Sequence, residues 1–155
     1  MSKRKTWKEK LHDSKDFPRV QPIEEHQEKM WGEGTIVIAK PIEVDEIMKK
    51  VPKGKLITIN KIREILADKH GATIACPITT GIFARIAAGA AEEELQQGKK
   101  RITPYWRTLK AGGVVNEKYP GGIQKQIEFL ELEGHTVIPK GKNNFRVLDY
   151  EKYLV

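Results

Sequence analysis

Three amphipathic stripes at helical spacing, each punctuated by proline or glycine, follow one another from Pro41 to about Gln96, and they hold this chain to a largely helical core. Pro41 opens the first helix, where Val44, Ile47, Met48 and Val51 recur at i, i+3, i+4 and i+7 on one face. Glu43, Asp45 and Glu46 sit early and Lys49 and Lys50 late, as the helix dipole favours, and Pro52-Lys53-Gly54 stops the run. Leu56 and Ile57 make a brief extended piece. Thr58 or Asn60 caps the second helix, which carries Ile62, Ile65 and Leu66 as its stripe and ends at Gly71 after Lys69 and His70. A connector over 71–78 contains Cys76-Pro77. Thr79 or Thr80 then caps a third helix, with Ile82, Phe83, Ile86 and Ala90 as its apolar face. Along it, Ala87-Ala88-Gly89-Ala90-Ala91 is an unusually small surface.

Short extended pieces surround this core. Thr35–Ala39 reads as a strand. The stretch 102–115, with its Gly112-Gly113 turn, reads as a hairpin with aromatic residues at its entry. Gly121-Gly122 leads into a helix with Ile123, Ile127 and Leu130 on one face, ended by Gly134. Residues 136–148 read as a β-hairpin around Lys140–Asn144. Residues 1–33 are polar, and Trp7, Leu11, Phe17, Val20 and Trp31 are isolated apolar points. This segment is read as an extension draped over a domain at 34–155. The class is α+β, mainly α: a winged-helix-like helix-turn-helix domain with short hairpins.

A chain of 155 residues with 39% hydrophobic and 32% charged residues builds one modest core. Its net charge of +7, from 28 Lys and Arg against 21 Asp and Glu, favours polyanions: nucleic acid first, an anionic membrane surface second. No stretch approaches the roughly 18 apolar residues of a membrane span. Met1-Ser2-Lys3-Arg4-Lys5 is basic but no apolar run follows, so it does not read as a signal peptide. Cys76 stands alone, so no intramolecular disulfide forms, and four scattered histidines show no ligand spacing. No metal or cofactor site is expected. A reducing cytoplasm is the simplest compartment.

Three stretches, in order, resemble the O6-alkylguanine–DNA alkyltransferase family. Lys50–Thr58 and the helix after it look like that family's entry to its helix-turn-helix. Pro104-Tyr105-Trp106-Arg107 stands where the family has Pro-Cys-His-Arg. Tyr119-Pro120-Gly121-Gly122-Ile123, leading to Leu132-Glu133-Gly134-His135, looks like its Tyr-Ser-Gly-Gly-Leu and closing Glu-Gly. The resemblance covers roughly 41–137.

The departures bear on function. Tyr105 takes the acceptor cysteine's place and Trp106 that of the activating histidine. Alkyl transfer needs a thiolate generated by a neighbouring base, and a phenol and an indole supply neither. Cys76 precedes a proline rather than following one, and reads as a small packing residue; its use as an unconventional acceptor is the enzymatic alternative. The resemblance therefore implies a non-catalytic binder, akin to the alkyltransferase-like proteins, which carry tryptophan in the cysteine's slot. For these it implies double-stranded DNA with O6-alkylguanine as ligand and a link to nucleotide excision repair proteins.

The same resemblance implies roles for particular residues. Arg85, or Thr80 in another register, fills the gap left by a flipped base, with Thr79 beside it. Ala88 and Gly89 approach the floor of the minor groove, or else allow close helix packing. Tyr105 and Trp106 line or plug the lesion pocket. Arg107 and Tyr119 keep the family's residues near it, and Glu133 serves a structural hydrogen bond. Lys53 and Lys55, with Lys61, Arg63, Lys99, Lys100 and Arg101, are candidates for phosphate contacts. A winged-helix DNA binder or regulator with no lesion preference, and a protein-interaction module, are the other readings.

Overall fold

The stripes of the first two helices are the ones the fold buries: Val44, Met48, Ile62 and Leu66 are at most 1% exposed. The computed structural model describes residues 5–155, so Met1–Arg4, the start of the basic N-terminus, lie outside the described residues. In chain order the elements are α1 (Trp7–Leu11), β1 (Arg19–Pro22), α2 (Glu28–Trp31), β2 (Thr35–Ile38), α3 (Pro41–Lys49), β3 (Ile57–Thr58) and α4 (Ile59–His70). After these come β4 (Ile74–Ala75), α5 (Pro77–Gln96), β5 (Thr108–Leu109), α6 (Gly122–Leu132), β6 (Val137–Lys140) and β7 (Asn144–Val147). Single 3-10 turns lie at Glu25–Gln27, Tyr105–Arg107, Ala111–Gly113 and Tyr150–Tyr153. The protein is α+β and mainly helical.

Helix α5 is the axis of the core. It packs between α3 on one side and α1 on another, with α4 and the Tyr105–Arg107 turn closing the cluster. Three small sheets flank it: β1 antiparallel to β2, which runs parallel to β4; β3 parallel to β5; and the β6–β7 hairpin. A second cluster of Leu56, Leu109, Val115, Leu130 and Val147 ties that hairpin to the domain. No described helix is long and apolar enough to cross a membrane.

Residues 5–33 are more structured than a drape. Thr6 and Glu9 form a reciprocal capping box that starts α1, and β1 is a strand of the first sheet. Leu11 is buried, Trp7 and Phe17 pack on the main core, and Trp31 packs beside Ile23 and Ile36, but Val20 is 46% exposed.

Three expectations need correction. Helix α5 begins at Pro77, not after Thr79 or Thr80. Proline suits a first helical position because its missing N–H has no partner to lose there. Ile82 is 50% exposed rather than core-facing, and the buried face of α5 is instead Thr80, Phe83, Ala84, Ala87, Ala88 and Ala91. Finally, 102–115 is not a hairpin: β5 pairs in parallel with β3, and only Lys110 and Val114 bridge across the glycine turn. Pro104, lacking an N–H, and Tyr105–Arg107, wound in a 3-10 turn, leave no ladder for a strand partner.

His135 is buried, and both ring nitrogens lack a hydrogen-bond partner among the described residues; its ring sits edge-on to Tyr153 at 4.7 Å. Burial pushes its pKa below the ordinary 6.5, with Glu133 opposing and Arg107 assisting. The unfolded chain then binds the proton more readily than the folded one, so stability is lost as pH falls below about 6.5. Thermal melts at pH 7 and pH 5 are expected to show a smaller drop in His135→Leu than in the wild type.

Candidate functional site

The Pro104–Arg107 motif forms a closed aromatic cluster. Tyr105 has no exposed surface. Its ring meets Trp106, Tyr119 and Phe129 edge-on at 5.4, 5.5 and 6.4 Å, and Trp106 stacks on Phe129 at 4.3 Å. The Tyr105 hydroxyl donates to Glu92 Oε2 at 3.4 Å, and Lys125 pairs with the other oxygen of Glu92. Burial, with Glu92 adding to it, raises the Tyr105 pKa far above the ordinary phenol value. Burial does the same for Tyr119. Both phenols stay protonated at neutral pH.

Beside the cluster, Arg107 is fully engaged. Its Nε and Nη2 donate to Glu133 at 2.9 and 2.6 Å, and its Nη1 donates to the Val51 carbonyl at 2.6 Å. Burial raises the Glu133 pKa, but Arg107, helped by Trp106 and the Gly54 amide, outweighs it and holds the carboxyl below 4.5. Gln126, fully buried on α6, fastens the loop: its oxygen accepts from Asn116 N at 2.7 Å, and its amide donates to the Trp106 carbonyl at 3.2 Å. Cys76 lies in another cluster, with Ile23 and Ile36, at the foot of α5. Its thiol is buried there, outside the aromatic cluster.

The open surface lies on the first half of α5. Ile78, Gly81, Ile82 and Arg85 recur at helical spacing and line a cleft of about 410 Å³, faced by Lys110, Asn116 and Lys118 from the loop after β5. Ile78 and Ile82 are 62% and 50% exposed, although they are large apolar side chains. Arg85 is exposed and rests over the Trp7 ring at 5.7 Å. Thr80 does not line the cleft: it is buried and its hydroxyl donates to the Cys76 carbonyl at 2.7 Å. Thr79, half-buried, is one residue from the stripe.

The small surface of α5 faces inward. Ala88 is fully buried, and a Cβ built at Gly89 would enter the Trp7 ring. The Glu93 carboxylate also accepts from the Trp7 and Lys8 amides, 3.3 and 2.9 Å away, and so caps α1. Ala88 and Gly89 thus take part in close helix packing. Gly89→Ala is expected to loosen α1, seen as faster tryptic cutting after Lys8 and Lys10. An unchanged rate with a gain of about 1 kcal/mol, the intrinsic helix preference of alanine, would mean that Trp7 does not rest there.

Lys53 and Lys55 are exposed on the turn after α3, where Gly54 N approaches Glu133, and they do not line the α5 cleft. The sequence reading missed Ile78, Lys110, Lys118, Glu92 and Gln126.

No protein-family model matches this chain, and no curated protein does. Two solved structures resemble it. One is S. pombe Atl1 in complex with damaged DNA containing O6-carboxymethylguanine, with a TM-score of 0.51 and 19% identity over 74% of this chain and 93% of that one. The other is S. pombe ATL in complex with DNA, with a TM-score of 0.49 and 20% identity over the same shares. At this identity the likeness to the first is one of fold.

Proposed function

We propose that this chain is a non-catalytic DNA-binding protein that docks the first half of α5 into the minor groove and recognises O6-alkylguanine or similar base damage. The observation that carries the reading is the cleft itself: an exposed Ile78–Gly81–Ile82–Arg85 stripe with Lys110 and Lys118 facing it. Exposed isoleucines next to an arginine suit a groove, where apolar side chains wedge between base steps and arginine occupies a narrow, negative trough. Lys110 and Lys118 supply phosphate contacts, although Lys110 must first leave Glu117, 2.9 Å away. The shared fold supports the reading, since Atl1 is held on damaged DNA in its own structure. In a winged-helix-like arrangement α4 and α5 are the paired helices and β6–β7 is the wing. Handing damage to nucleotide excision repair proteins belongs to the same proposal.

A second reading, a DNA binder without lesion preference, is favoured by the filled aromatic cluster. Tyr105 has no exposed surface, so an extruded base stacks on it only after the ring has moved.

Two fluorescent duplexes that differ by one O6-methylguanine, titrated at one low salt concentration, separate the readings. Tighter binding to the modified duplex is expected for the damage reader, and equal binding for the general binder. Arg85→Ala is expected to weaken binding about tenfold or more, the cost of a lost minor-groove arginine. No binding to either duplex would overturn both readings.

A further inference from the structure

A second cationic hollow lies beyond the C-terminal end of α5. It measures about 500 Å³, and its lining contains four cations, Lys49, Lys100, Arg101 and Arg107, and no acid. Ile78 and Ile82 lie near the start of α5 and Lys100 follows its last turn. At roughly 1.5 Å per residue, roughly 20 Å of helix separates the two sites.

The charges in the hollow differ in availability. Arg107 is neutralised by Glu133 at 2.6 Å, and Lys49 shares its charge with Asp45 at 3.2 Å. Lys100 and Arg101 are exposed and make no ion pair among the described residues, whereas Lys99 next to them is held by Glu94. The remaining lining is apolar: half-buried Ile102 and Trp106 and buried Pro104, with Trp106 fixed by its stack on Phe129 and the Arg107 guanidinium 5.6 Å from its ring. Low-dielectric walls around uncompensated cations focus a positive field into the cavity.

This combination of partly open apolar surface and free cations matches a nucleobase joined to phosphates. We infer that the hollow takes a segment of single-stranded nucleic acid, with its phosphates on Lys100, Arg101 and Lys49 and a base against Ile102 and the open part of Trp106. A duplex hides its base faces in the stack, whereas a single strand presents them to such a surface. The inference adds a second nucleic-acid site to the proposed function and does not depend on Arg85.

The test follows the anisotropy of fluorescent octathymidylate on the full chain at low salt. Wild type and a Lys29→Glu control, exposed on α2 away from both clefts, are expected to bind alike, and the Lys100→Glu/Arg101→Glu double variant to bind about tenfold or more weakly. Both substituted residues are exposed, and an unchanged melting curve confirms that the variant is folded. Four results would overturn the inference. They are no binding of the octamer, equal binding by the double variant, loss of binding in Lys29→Glu, and equal binding of an abasic octamer or an octaglutamate peptide. Duplex binding, measured separately, reports on the proposed function whichever way this experiment turns.

Discussion

Replacing Tyr105 by alanine is expected to destabilise the protein by about 3–5 kcal/mol, the range for removing a large aromatic ring from a packed core. The ring has no exposed surface and meets Trp106, Tyr119 and Phe129 edge-on, so no neighbour can fill its volume without leaving its own contacts. Tyr105→Phe keeps the ring and removes only a long hydrogen bond to Glu92, which Lys125 still satisfies. Its cost is expected to stay near 1 kcal/mol. Urea unfolding of the two variants measures the difference. A Tyr105→Ala cost near that of Tyr105→Phe would mean that the ring is not the centre of this cluster.

Arg107→Ala carries the second large effect. It removes donors to both Glu133 oxygens and to the Val51 carbonyl, and leaves Glu133 charged with its side chain only 7% exposed. Breaking one side of a buried pair typically costs about 3–5 kcal/mol. The sign with pH is determined. The folded-state pKa of Glu133 lies below 4.5, so the pair stabilises above that value and the benefit is lost as pH falls through the lowered pKa. Denaturation of wild type and variant is therefore expected to differ most near neutrality and to converge in acid. An undiminished gap at pH 3 would point to packing of the arginine stem rather than to its charge. Arg107→Ala combined with Glu133→Gln is expected to recover part of the loss, because the stranded charge is gone.

The helices α3 and α4 were readable because their apolar period coincides with burial, and capping and stop residues mark the ends. Helix α5 was harder. It is flanked on more than one side, so alanines and a glycine replace a stripe of large residues and its periodic signal is weak. Ile82 then looked like core although it faces solvent. Thr79 and Thr80 looked like caps because their residue type favours that position, but Pro77 had already supplied the first turn. Gln126 gave no sign at all, since a buried amide is recognisable only by the backbone groups that other segments bring to it.

By itself the sequence determined the helical class, the ends of α3 and α4, the β6–β7 hairpin and the absence of a thiolate at the Pro104–Arg107 motif. These depend on local period, turn chemistry and residue identity. Only the tertiary structure decided which side of each candidate is free to act. It turned Tyr105 inward among aromatic rings and spent Arg107 on Glu133. It buried Ala88, set Gly89 against Trp7, and left Ile78, Ile82 and Arg85 exposed opposite Lys110 and Lys118. The physical reason is that exposure is set by what packs against a residue from far along the chain, and Trp7 lies 82 positions from Gly89.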